Sequence, residues 1–145
     1  MATVEATSSC AICVAASTAE VGACAGPEPL AVHADEAVIA FVQRDALGAL
    51  IAPRRHVPDL SLKPGAAGQV LARIRRSAVG VQAFYRSSGV SVEPVADFPG
   101  APGHACFRIL PTFPAGRGAE DSRLEALVPV LQRMLGSDPV GPRPE

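Results

Sequence analysis

Two cysteines near the start of the chain, Cys10 and Cys13, and two histidines far from them and from each other, His56 and His104, constrain this fold most. Two thiolates and two imidazoles are a common donor set for a closed tetrahedral zinc site. If the four meet, the leading segment is clipped to two remote points of the chain. Spacing alone leaves two other readings of the C-x-x-C open: a reduced pair without metal, and a thioredoxin-like redox pair. The redox reading wants a strand before the pair and a helix N-terminus at it, and only a polar stretch precedes Cys10. His56 follows an apolar run and His104 opens another, and strand ends are rigid places from which to aim a ligand. Four protein ligands leave no open position, so such a metal is structural and adds to folding stability.

The 145 residues, 48% hydrophobic and 19% charged, are long enough for one buried core. One domain is expected over 10–136, between a disordered N-terminus (1–9) and a flexible Pro-rich tail (137–145). A formal net charge of -1 gives no electrostatic case for nucleic acid. The basic group Arg73, Arg75 and Arg76 reads as a solvated helix face. No apolar run of about 18 residues exists, so no membrane span is expected. The N-terminus lacks a basic n-region and a long apolar segment, which argues against secretion. A cytoplasmic chain with reduced cysteines is the expectation. Cys24 is expected to pack without a special role, and His33 to be a partly exposed strand residue.

Local patterns give an α+β domain: a five-stranded antiparallel sheet, a long central helix and a C-terminal helix, with helices covering one face of the sheet. Strands are expected at 30–34, 37–42, 49–52, 90–95 and 104–110. The long helix spans about 63–87, with Pro64 in its first turn and Val70, Ile74, Ala78, Val81 and Tyr85 along one face. The last helix spans about 122–135, with a stripe of Leu124, Leu127, Val128, Leu131 and Leu135 and Gly136 as its C-cap. Alternation along the last strand puts His104, Cys106, Arg108 and Leu110 on one side, and Ala105, Phe107 and Ile109 on the other.

The segment from Cys10 to Pro111 resembles the zinc-containing branch of the histidine triad (HIT) superfamily of nucleotide hydrolases and transferases. The resemblance rests on the knuckle Cys10–Cys13, the acidic turn His33-Ala-Asp-Glu36, the Ala40-Phe41 strand, Pro53-Arg54-Arg55-His56-Val57, a long helix, and the signature-like His104-Ala-Cys-Phe-Arg-Ile-Leu-Pro111. It implies zinc on Cys10, Cys13, His56 and His104, and a homodimer. It also implies that the nucleotide contacts have changed. Cys106 stands where the family has its nucleophilic histidine, and Arg108 where the third histidine binds phosphate. Gln43 replaces the ribose-binding carboxylate, Pro99-Gly100-Ala101 the phosphate cradle, and Glu93 an asparagine.

The replaced residues suggest a repurposed cleft for a small anionic molecule. Arg108 can clamp a carboxylate or phosphate, and Gln43, Gly100 and Ala101 fall at the other binding positions. As candidate catalytic residues, Cys106 is a nucleophile if Arg108 favours its thiolate, and Glu93 or Glu36 a general base. A base without a nucleophile suits a lyase, isomerase or cyclase. A residual nucleotidyl hydrolase or transferase using Cys106 is one alternative. A non-catalytic domain that binds a ligand or a protein is the other, and there Cys106 simply packs like alanine.

Overall fold

The computed structural model describes residues 10–18, 30–43, 47–60, 63–95, 98, 100–114 and 124–136. The two expected terminal tails and Cys24 lie outside the described residues. The elements run α1 (Ala11–Thr18), β1 (Leu30–Ala34), β2 (Val38–Val42), β3 (Ala49–Pro53), α2 (Pro64–Tyr85), β4 (Gly89–Pro94), β5 (Phe107–Thr112) and α3 (Leu124–Gly136). The five strands form one antiparallel sheet in the order β1-β2-β3-β5-β4.

β2 and β3 are buried at every position. Their unbroken apolar runs therefore report a sheet covered on both sides. On one side Val38, Ala40, Val42, Ala49, Ile51 and Ile109 pack beneath α2 and α3. The helix stripes behave as their spacing predicts: Val70, Ile74 and Val81 of α2, and Leu127, Leu131 and Leu135 of α3, are all buried. On the other side Ile39, Phe41, Leu50 and Ala52 meet Cys10 and Ile12 of the N-terminal segment, together with Phe98, Ala101 and Cys106. Helices thus cover both faces, not one. The second layer was missed because α1 is eight residues long, below the length at which local propensity stabilises a helix. Its place is set by what it docks against.

The last strand also starts later than expected. Backbone groups of 104–106 turn elsewhere: His104 N–H donates to Ala101 O at 3.2 Å, Ala105 N–H to Val57 O at 2.6 Å, and Val95 N–H to Cys106 O at 2.9 Å. Pairing with β3 begins only at Phe107, opposite Ile51.

The β1–β2 turn is organised by Asp35. Its carboxylate accepts from Ala37 N–H at 2.7 Å and Val38 N–H at 3.0 Å, and it pairs with His33 Nε2 at 2.8 Å and Arg73 Nε at 3.1 Å. Arg73 is therefore not on a solvated face: it ties α2 to the hairpin, while Arg75 is exposed. Burial pushes the Asp35 carboxyl up, but the bonds from His33, the two backbone amides and Arg73 outweigh it and hold it well below the usual carboxylate range. A carboxyl depressed in the folded state stabilises it above the unfolded pKa, about 3.9, and loses that contribution as pH falls toward the folded value. Asp35→Ala should cost about 1–3 kcal/mol at pH 7, the scale of hydrogen bonds to a buried charge. In urea titrations from pH 7 down to pH 3, the gap between the parent and the variant should narrow only below about pH 4.

Candidate metal centre

Three distant pieces of chain bring four donors to a single point. Cys10 immediately precedes α1 and Cys13 lies on its first turn, so one short helix presents both sulfurs. Cys13 N–H approaches Cys10 Sγ at 3.5 Å, which satisfies one of the open amides of the helix start. His56 follows β3, and His104 follows the tight turn at Gly103, whose φ is 75°. The resulting contacts are Cys10 Sγ to His104 Nδ1 at 3.3 Å, Cys13 Sγ to His56 Nδ1 at 3.2 Å and Cys13 Sγ to His104 Nδ1 at 3.4 Å. All four donor atoms lie within 4.8 Å of one another. The two imidazoles meet edge to face, with centroids 4.9 Å apart.

This geometry fits a small tetrahedral cation. With metal–sulfur bonds near 2.3 Å and metal–nitrogen bonds near 2.05 Å, a tetrahedron has S···N edges of about 3.5 Å. The second ring nitrogen of His104 fixes its tautomer. Nε2 lies 2.7 Å from Pro53 O, and a carbonyl only accepts, so Nε2 carries the proton and Nδ1 turns its lone pair toward the sulfurs. Burial lowers the His104 pKa, Pro53 opposes that, and His56 adds to the lowering. Burial, then the bond to Cys10 and its charge, push the Cys13 thiol up to about 12. The Cys13 thiol and the His104 imidazole resist charge by themselves, whereas a bound dication reverses that preference. The four residues can hold a metal ion.

The surrounding architecture matches solved structures. A Zn-bound histidine triad family protein from Mycobacterium smegmatis superposes with TM-score 0.60 over 90% of this chain and 95% of its own, at 17% identity. The chain has a HIT-like fold. A HIT-like protein from Bartonella henselae superposes with TM-score 0.55 at 22% identity, covering 74% of this chain and 88% of its own. A hypothetical histidine triad nucleotide-binding protein from Sulfolobus tokodaii does so with TM-score 0.59 at 13% identity, covering 88% and 92%. No family model matches the sequence, and no curated protein matches it either.

The other site candidates of this HIT-like fold fall into two groups. On the face opposite α2 and α3, β5 carries Arg108, half-buried and directly opposite Glu93 of the edge strand β4. Glu93 is exposed and accepts from Ser91 Oγ at 3.5 Å. Cys106 is only 1% exposed, among Phe98, Ala101 and Leu50. Burial pushes its thiol up to about 12, against the opposing effects of Arg108 and the Phe107 amide. Desolvation therefore outweighs the guanidinium. In the native protein Cys106 should react with iodoacetamide far more slowly than a free thiol and reach the free-thiol rate in denaturant, as peptide mapping would show.

The cradle positions serve the knuckle. Gly100 O accepts Ala11 N–H at 2.7 Å, and a Cβ on Gly100 would stand 3.3 Å from Ala11 Cβ. Ala101 is 1% exposed. Gln43 is half-buried just past β2, away from the cysteine cluster in sequence, and Glu36 is exposed on the β1–β2 turn. Sequence reading missed Phe98, whose ring is tilted against that of Phe41 with centroids 6.1 Å apart and which belongs to the apolar layer that contains Cys10, Ile12 and Cys106. A lone aromatic in a Pro/Gly loop was the available signal.

Proposed function

We propose that the protein is a diverged HIT-fold domain with a structural zinc on Cys10, Cys13, His56 and His104, acting on a small anionic metabolite in the former nucleotide cleft. Convergence of the four donors, with S···N separations of 3.2 to 3.4 Å, is the observation that carries the zinc. The soft sulfurs and borderline nitrogens suit zinc over oxygen-seeking ions, and the M. smegmatis relative in fold is described as Zn-bound. Thiolate ligands suit a reducing compartment, which supports a cytoplasmic location. No described helix is long and apolar enough to cross a membrane.

Arg108 is the anion anchor in this reading. Its guanidinium binds a carboxylate or phosphate, and Glu93, its cross-strand partner, is placed to move a proton. That pairing needs no nucleophile and fits a lyase, isomerase or cyclase. The burial of Cys106 favours a second reading, a non-catalytic ligand-binding domain, and weighs against nucleotidyl transfer through Cys106. A homodimer through the open edge of β4 is part of the proposal. Val92 of β4 and Leu71 and Val79 of α2 are 44%, 51% and 49% exposed, more than large apolar side chains usually are.

Zinc analysis and a turnover screen test the reading together. Protein purified without chelators should carry near-stoichiometric zinc and should not hydrolyse nucleoside phosphoramidates or dinucleotides. Fast hydrolysis would mean that the nucleotide site survives. Among carboxylate and phosphate metabolites, any ligand that shifts the melting curve should lose its effect in Arg108→Ala. Turnover of that ligand separates the enzyme from the binding domain.

A further inference from the structure

We propose that the site beside Arg108 takes a zwitterion of the amino-acid class, with the ligand's carboxylate on Arg108 and its ammonium on Glu93. The inference rests on the anion-anchor role of Arg108 proposed above and names the kind of molecule that role serves.

The register of the sheet sets the two charges side by side. Phe41 pairs with Leu50, Leu50 with Arg108, and Arg108 with Glu93. These side chains form one row across β2, β3, β5 and β4, on the face away from α2 and α3. Phe41 and Leu50 are buried in the apolar layer, Arg108 is half-buried, and Glu93 is exposed. The row thus runs from a sealed apolar floor, through a cation, to an anion at the sheet edge. Residues directly opposite on neighbouring strands have Cβ atoms about 4.5–5.5 Å apart. Two residues on, Leu110 lies on the same side of β5, opposite Ser91. It is half-buried and leaves apolar surface beside the pair.

The two charges do not neutralise each other by contact. Among the described residues, neither Arg108 nor Glu93 has an ion-pair partner. Glu93 accepts instead from Ser91 Oγ along its own strand, at 3.5 Å. That length is the outer limit of a hydrogen bond. An ammonium is a charged donor and makes a shorter, stronger one. The guanidinium keeps its planar fork for a carboxylate.

The pair also selects against simpler anions. Its formal charge is zero, so a plain carboxylate or phosphate is attracted by Arg108 and repelled by Glu93 close by. An ammonium a few bonds from the ligand's carboxylate turns that repulsion into attraction. Apolar atoms of the ligand then rest on Leu110. The carboxylate that orients the ammonium is the group placed above to move a proton, so both tasks fall to Glu93.

The test titrates the full chain, purified without chelators, with matched ligands at neutral pH, and follows the backbone amides of β4 and β5 by NMR. Glycine, β-alanine, 4-aminobutyrate and L-leucine are each compared with the acid that lacks the amine and the amine that lacks the carboxylate; for 4-aminobutyrate these are butyrate and propylamine. At least one amino acid should bind about fivefold tighter than either counterpart, the upper range for a solvent-exposed ion pair. Arg108→Ala should abolish binding of that amino acid and of its deaminated acid. Glu93→Gln, an exposed and isosteric change, should move the two in opposite directions: the amino acid weakens and the acid strengthens, because the charge that attracted one repelled the other. Parallel weakening of both would overturn the pairing, as would an amine that binds as tightly as its amino acid. An acid that binds through Arg108 as tightly as its amino acid would overturn the zwitterion and leave the anion anchor in place. No Arg108-dependent binding by any ligand of the panel would overturn the anchor itself, and the zwitterion with it.

Discussion

Removing the proposed zinc should cost this domain about 3–5 kcal/mol of stability, part of the roughly 10–16 kcal/mol that structural zinc contributes to zinc-finger peptides. The fraction is smaller here because α2, α3 and the sheet bury their own core, which includes none of the four donor residues. What depends on it is the second layer. His104 is 4% exposed, and Cys10 and Ile12 are 1% and 0% exposed. Undocking α1 returns these groups to water and bares Phe41 and Leu50. A fully buried isoleucine alone is worth about 1.5–3 kcal/mol. A strong chelator, Cys10→Ser and His104→Ala should all converge on one destabilised state, with a melting midpoint lower by on the order of 10 °C. Calorimetry with parallel zinc analysis checks this. His33→Ala is the control: it removes an imidazole that bonds Asp35, and should leave zinc content unchanged. A chelated protein that melts with the parent would show that α1 docks without the clasp.

How much of this was legible in the sequence depended on whether a residue's role is local. The unbroken apolar run Val38–Val42 and the periodic stripe Val70, Ile74, Val81 are local signals, and the buried strand and the buried helix face lie where those signals put them. The four donors were also legible, because their chemical types narrow the choices to three histidines and four cysteines. The environment of Cys106 was not. Its neighbour Arg108 suggested a thiolate, and only the packing of Phe98, Ala101 and Leu50 around it shows that burial dominates. The same holds for Arg73, whose partner Asp35 lies 38 residues away. A charged side chain on a helix gives no local sign that it reaches back to a hairpin. The start of β5 was misplaced for a related reason: alternation is continuous through 104–106, but those backbone groups bond to Ala101, Val57 and Val95, and pairing is a non-local property.

Gly48→Ala should be the most damaging single-methyl change among the described glycines, at about 3–4 kcal/mol. Gly48 ends the β2–β3 turn with φ 81°, a conformation in which a side chain costs about 1–2 kcal/mol. The larger problem is space. A Cβ there would collide with Ile109 O and lie 3.0 Å from Ile109 C and 3.3 Å from Leu110 Cα. All three are backbone atoms, and Ile109 pairs with Ala49 in the ladder that joins β3 to β5. Neither strand can yield without giving up those hydrogen bonds, and β5 carries Arg108 on the same strand. Gly48 N–H also donates to Tyr85 Oη at 3.0 Å, which anchors the turn to the end of α2. Burial raises the Tyr85 pKa and that bond opposes the rise, so moving the turn leaves a half-buried hydroxyl short of a partner. Gly68→Ala gives the opposite sign. Gly68 is exposed within α2, and a Cβ there meets nothing within 4 Å. Alanine in a helix interior is better than glycine by about 0.8–1 kcal/mol. Urea unfolding of the two variants should therefore move the midpoint in opposite directions at similar m-value. If Gly48→Ala unfolded within 1 kcal/mol of the parent, the close approach of the β2–β3 turn to β5 would have to be wrong, and with it the register that sets Arg108 against Glu93.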